Sequence, residues 1–207
     1  MRKLLTLLSL SLIGYLSASA QENNSFEFGA HVGYNAATVS TSTQTNSNYR
    51  SGFNIAAFGD YFFSDRWSIK ARVSYDQKGW ARGYLTNYNT GQSFETDYHL
   101  NYLTIPLLAS WHFGSKRNWC LNFGPYAGLL LNAKESKFNT DIKSITHNTD
   151  IGLDLGIGVN IPVASKVKIL LEFDGQAGFT DVFKVDQGYS IINSRSSFNA
   201  GLVFDLK

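Results

Sequence analysis

What the 207-residue chain lacks narrows its class. One cysteine, Cys120, excludes an internal disulfide framework and any zinc site built on several cysteines. Charged residues make up only 16%, below the roughly 25% usual for soluble domains. There is no basic excess either. Without Arg2 and Lys3, which lie in a leader-like segment, 16 basic residues face 16 acidic ones, which speaks against a nucleic-acid binder. Beyond residue 20 no apolar run is long enough for a transmembrane helix. The motifs G-x-S-x-G, H-E-x-x-H, the P-loop and a complete dinucleotide fingerprint are all missing. The four histidines, His31, His99, His112 and His147, lack metal-ligand spacing. No catalytic residue, cofactor or metal is expected, and the chain is not expected to be an enzyme. Cys120 reads as a small buried filler rather than a nucleophile.

What is present begins with export. Met1-Arg2-Lys3 is a basic start, Leu4 to Leu16 an apolar core, and Ala18-Ser19-Ala20 a small-residue cleavage site. Residues 1–20 are therefore expected to be a cleaved signal peptide, and 21–207 the mature domain. No cysteine follows the site, so lipoprotein processing is not expected.

The remainder alternates with a period of two, the signature of strands. Between Asp150 and Val163 the apolar set is Ile151, Leu153, Leu155, Ile157, Val159, Ile161 and Val163. Gly152, Asp154, Gly156, Gly158 and Asn160 interleave with it, so the two sets face opposite sides. From Trp119 to Ala133, Trp119, Leu121, Phe123, Ala127, Leu129 and Leu131 oppose Cys120, Asn122, Gly124, Gly128 and Asn132. Six further segments follow the rule at about 26–38, 51–63, 67–81, 98–113, 167–180 and 196–206. The count is eight strands.

Their connections alternate in length. Short ones fall at 64–66, 114–118 and 164–166, and long polar ones at 39–50, 82–97, 134–149 and 181–195. In an up-and-down meander this puts all short turns at one end and all long loops at the other, the asymmetry of bacterial outer-membrane barrels. The fold class expected is an all-β, eight-stranded antiparallel up-and-down transmembrane β-barrel with periplasmic termini and extracellular loops. Tyr61, Phe63, Trp67, Trp111, Phe113 and Trp119 flank the short turns on the apolar parity. They read as a periplasmic aromatic girdle, the alternative being core aromatics at strand ends. A soluble lipocalin-like barrel would turn the polar face to water. That face is rich in Gly, Asn, Ser and Asp and poor in Lys and Glu, which suits a narrow lumen better.

The same parity gathers charge. Lys70 and Arg72 lie on the third strand with Asp76 and Lys78, Glu172 and Asp174 on the seventh, Asp154 on the sixth, Asp60 on the second and Glu27 on the first. Strands three and seven oppose each other in an eight-stranded ring, and counting from the turns puts Arg72 and Glu172 at similar depth. Charges in so narrow a space must be paired. The set Lys70, Arg72, Glu172, Asp174, Asp154 and Asp60 is expected to be a structural ion-pair network plugging the lumen. A proton or ion path, or an acid–base carboxylate pair such as Asp154 with Glu172, stays open as an alternative.

Several segments resemble the PorT-like outer-membrane β-barrel family, typical of Bacteroidota-type Gram-negative bacteria and often labelled porin. They are Ser74-Tyr75-Asp76-Gln77-Lys78-Gly79, Tyr102-Leu103-Thr104-Ile105-Pro106-Leu107-Leu108, Gly124-Pro125-Tyr126-Ala127-Gly128, the run from Asp150 to Val159, and Gly178-Phe179-Thr180-Asp181. The resemblance spans nearly all of residues 25–207 and implies an outer-membrane barrel. Three functions stay open. The first is a small monomeric barrel that is structural or acts through Ser/Thr/Asn-rich external loops such as 40–46. The second is a transport or secretion component, and the third a barrel-embedded lipid-modifying enzyme. The expected partners are outer-membrane lipid or lipopolysaccharide, the barrel-insertion machinery, and a surface or secretion partner, with no nucleic acid.

Overall fold

The computed structural model describes residues 25–41, 47–86, 91–185 and 188–206. The expected signal peptide at 1–20 lies outside them. Eight strands follow in chain order: β1 Ser25–Thr41, β2 Arg50–Phe62, β3 Trp67–Thr86, β4 Ser93–Phe113, β5 Trp119–Glu135, β6 Thr149–Ala164, β7 Val167–Asp181 and β8 Ile191–Asp205. A 3-10 turn at Lys143–Ile145 lies between β5 and β6. Each strand pairs antiparallel with its sequence neighbour, and β1 pairs with β8, closing the barrel. Closure leaves no unpaired sheet edge, the condition for a sheet to survive in hydrocarbon.

The register fixes the barrel's shape. Stepping through partners from Ser25 leads to Phe62, Ser68, Ser110, Asn122, Gly156, Asp174, Ser197 and back to β1 at Asn35, ten residues further along. A stagger of that size over eight strands tilts them by about 40° and leaves an interior that side chains fill.

The alternation decides the faces. On β6, Ile151, Leu153, Leu155 and Ile157 are exposed on the outside, while Gly152, Asp154, Gly156 and Gly158 are buried inside. The whole outer band is built this way, with Val32, Phe53, Ile55, Val73, Ile105, Leu107, Leu129 and Phe198 exposed. Glycine on the inner face is a matter of room. A Cβ at Gly152 would stand 2.1 Å from the Ala177 carbonyl oxygen and 2.7 Å from the Tyr126 ring.

Several strands are longer than the alternation alone indicates. Crossing a bilayer needs about 9–11 residues per strand. β3 and β4 have 20 and 21, and their surplus lies at the long-loop end. The expected loop 82–97 is therefore largely a hairpin, its arms joined at Leu85↔Phe94 and Thr86↔Ser93. A bulge between Trp80 and Gly83 bends it, with Gly79 at φ 111° and Arg82 at φ 55°. Likewise β8 begins at Ile191, inside the expected loop 181–195. A register shift at Asn101/Tyr102 inserts an extra residue into β5. It turns Ala133 and Glu135 inward and leaves Asn132 only half-buried, which corrects the inward placement of Asn132.

Candidate functional site

The lumen is filled in layers from the short-turn end upward. The first is an ion triad, with the Lys168 ammonium 2.6 Å from Glu27 and 2.8 Å from Asp205. Beside it Phe58, Leu170 and Val203 form a small buried apolar cluster. Lys70 follows, 3.4 Å from Asp60 on the adjacent strand and 5.2 Å from the centre of the Phe58 ring.

The middle layer crosses the barrel. Arg72 on β3 donates to Glu172 on β7 and lies 4.0 Å from Asp174. Glu172 also accepts from Asn122 at 2.7 Å, which is itself reached by Ser110 at 2.6 Å. Arg195 stands 2.8 Å from Asp174 and 3.3 Å from Asp76. Asp76 further accepts from Asn35 at 2.7 Å. Asp154 makes no ion pair within 4 Å among the described residues; it accepts from Gln176 at 2.9 Å. Above these, Lys78 bonds Asp150 at 2.8 Å and lies 4.3 Å from the centre of the Tyr126 ring. All these groups except the half-buried Lys168 and Asp205 are buried, so each ion pair offsets part of the cost of placing charge in a low-dielectric interior.

Arg195 falls in the expected loop 181–195 rather than in a strand. Its neighbours Ser194 and Ser196 face outward, so the apolar half of the alternation is missing there. The polar half survives in Asn193, Arg195, Ser197 and Asn199, all buried, and is the signal that could have found it. His31 and His112 are buried on the inner face, and Cys120 is a buried free thiol 3.9 Å from the Asn122 amide nitrogen. Among the described residues no three His, Cys, Asp or Glu side chains are grouped as a metal site.

The long-loop end is closed by apolar groups. Val39, Trp80, Tyr98, Leu100, Tyr102, Leu130 and Ala133 from the strands meet Ile142, Val182 and Phe183 from the connections, all buried. Trp80 stacks on Tyr98 at 4.3 Å, and Phe183 stands edge-on to both. The connections are anchored there. Ile142 donates its N–H to the Ala133 carbonyl, Val182 to Ile191 and Lys184 to Ile145.

Glu135 fixes the segment after β5. Its carboxylate accepts the N–H groups of Lys137, Phe138 and Thr140 and the Thr96 hydroxyl, at 2.8–2.9 Å. The last outward apolar residue of β5 is Leu131, so Glu135 stands beyond the apolar band. Burial alone would raise this carboxyl. The hydrogen bonds from Thr140, Thr96 and Phe138 outweigh it and hold the group down at about 2.

On the outside, Tyr61, Phe63, Trp67, Trp111 and Trp119 are exposed beside the short turns, and Phe113 is partly so. Trp67, Trp111, Phe113 and Trp119 form a continuous row of tilted and stacked rings with centroids 5.2–6.4 Å apart. A second aromatic set, not singled out from sequence, crosses the other side of the barrel nearer the long loops. Phe173 lies 6.3 Å from Phe198, Phe198 and Phe53 both register with Tyr34, and Phe53 lies 5.8 Å from Tyr75.

A closed ring of strands with a polar, ion-paired interior and an apolar outer band defines a transmembrane β-barrel of the outer-membrane class. The chain belongs to the family described as Outer membrane protein beta-barrel domain, which it matches over residues 19–184, and its place is the bacterial outer membrane. Among solved structures it is similar to neisserial surface protein A, at 18% identity over 88% of this chain and 99% of that one, with a TM-score of 0.54. The outer membrane protein OprG of Pseudomonas aeruginosa is another, at 8% identity over 91% and 98%, with a TM-score of 0.55. At these identities the likeness is one of fold. Comparison with curated proteins gives no match.

Proposed function

We propose that this is a small outer-membrane barrel with a closed lumen, structural or acting through the surface formed by its long-loop end. The observation that carries this reading is the filling of the lumen, ionic in the middle and apolar beneath the loops. The pairs of Arg72 with Glu172 and Asp174, and of Arg195 with Asp76, serve to hold opposite walls together, while Lys70 with Asp60 and Arg195 with Asp174 tie neighbouring strands. Asp154 stands beside them, held by Gln176. Tyr61, Phe63, Trp67, Trp111, Phe113 and Trp119 anchor the short-turn end at the membrane interface. In this reading residues 1–20 are the export signal, the termini are periplasmic and the long loops extracellular. Lipid and the barrel-insertion machinery are its general partners. The sequence patterns quoted above support the narrower PorT-like assignment, and with it a role beside a secretion assembly as the second reading.

Planar-bilayer recording on refolded protein tests the closed lumen. Little steady conductance is expected. Large, stable wild-type channels would defeat the reading and favour transport.

A further inference from the structure

The outer surface changes character along the upper rim of the apolar band. On the β3 to β5 side the run of outward apolar residues is broken above Tyr75, Leu103, Leu129 and Leu131, and Tyr84 is exposed again further up the β3–β4 hairpin. Just beyond the first four lies a row of cations. Arg50 at the start of β2 reaches across β3, donating to the Lys78 carbonyl at 2.7 Å and lying 2.8 Å from Nδ1 of His99 on β4. His99 is paired in register with Gly79, which has no side chain to block that path, and on its other side with Lys134 of β5. The Lys143 ammonium follows, 3.0 Å from the Leu131 carbonyl oxygen.

Arg50, Lys134 and Lys143 make no ion pair within 4 Å among the described residues. Two carboxylates stand nearby and keep their charge, Asp97 accepting the Arg82 N–H at 3.0 Å and Asp141 the Lys143 N–H at 2.8 Å, but the three cations outnumber them. The opposite rim is different. Thr149, Thr180, Ser194, Ser196, Thr38 and Ser40 hold the corresponding positions, and no lysine or arginine faces outward among them. Three cations above a wall of Leu and Tyr match a ligand with anionic groups at one end and hydrocarbon at the other.

We propose that the rim formed by Arg50, His99, Lys134 and Lys143 binds the phosphate groups of an acylated lipid of the outer leaflet. Its acyl chains lie along Tyr75, Leu103, Leu129 and Leu131. The proposal rests on the reading that the long loops face outward, because only then does this rim meet the outer leaflet.

The test uses mature protein in phosphatidylcholine nanodiscs, titrated with lipid A and with its dephosphorylated form. Bound lipid is counted by native mass spectrometry. Wild type should retain lipid A. The double variant Lys134→Gln/Lys143→Gln should bind about tenfold or more weakly, while Lys116→Gln at a short turn should bind as wild type. Heat-modifiable migration in SDS confirms that each variant is folded, and Arg50→Gln serves if the double variant is not. Equal binding of the dephosphorylated lipid, or unchanged binding by the variants, overturns the proposal. Equal saturation of the rim by inorganic phosphate would reveal a free-anion site and also overturn it. Orientation is read separately: protease on intact cells should cut only within 39–50, 82–97, 134–149 or 181–195. Cutting at 114–118 would defeat the outward-loop reading without altering the result in nanodiscs.

Discussion

Two regions fill the same lumen by different means. The middle is strand-borne and charged, with Arg72 meeting Glu172 across the barrel and Arg195 joining Asp174 to Asp76. The cap at the long-loop end is apolar and shared between strands and connections, with Phe183, Val182 and Ile142 folded onto Trp80 and Tyr98. The difference follows from what each region can draw on. Inside the band only inward strand residues are available, their outward neighbours being committed to lipid, and the buried charges depend on particular partners placed by the register. Above the band the long connections can turn back, so volume and shape decide the packing.

Breaking the ionic middle should cost most. Arg72→Met leaves Glu172 buried without its cation, a loss of about 3–5 kcal/mol for a dry site. Urea titration of the folded band in SDS gels measures it. Adding Glu172→Gln should recover part of the loss, and strictly additive losses would mean that the two side chains do not act as a pair.

Next is the boundary between lumen and lipid. Leu155 is 60% exposed on the outer face, and Leu155→Arg should cost about 2–4 kcal/mol if it sits near the midplane. Gly156→Ser, one residue on, meets Asp174 Cβ at 3.0 Å and should cost less than the arginine but more than nothing. A Leu155→Arg protein that folds normally in bilayers and gains solubility in water would place that face in water.

The cap should yield locally. Val182→Ala removes two buried methyl groups, about 2 kcal/mol. The connections at 134–149 and 181–195 should then be cut faster than in wild type while the barrel keeps its heat-modifiable migration. Global unfolding by this change would mean that cap and middle are one cooperative unit.

The smallest effect is a pH dependence at Glu135. Its carboxyl is lower when folded than its ordinary value of 4.5, so its contribution is complete above about pH 4.5. It is lost as pH falls towards about 2. The amide protection factors at Lys137, Phe138 and Thr140, corrected for intrinsic exchange, should fall over that window, and Glu135→Gln should flatten the profile. Unchanged protection across it would mean that the segment is held by its packing alone.

How far residues could be read in advance depended on whether their outward neighbours were apolar. Ile151 to Val163 announce both faces of β6, because lipid outside and a narrow lumen inside impose opposite demands on adjacent residues. The start of β8 hides among Ser194 and Ser196, and Arg195 with it. The bulge that turns Glu135 inward has no local mark, since an inserted residue shows only when β5 is paired with β4. Trp80 carried the right parity, but nothing near it pointed to Phe183, about a hundred residues away.

The sequence by itself determined strand number, strand faces and the ends at which short and long connections lie. Each follows from a two-residue period and the spacing of its interruptions, both local properties of the chain. The tertiary structure decided the ten-residue stagger, the partners of each charge, and the inward fold of Ile142, Val182 and Phe183. These depend on which strands become neighbours when the ring closes. A buried charge or a loop side chain is satisfied by whatever closure brings within reach, often from a distant part of the chain.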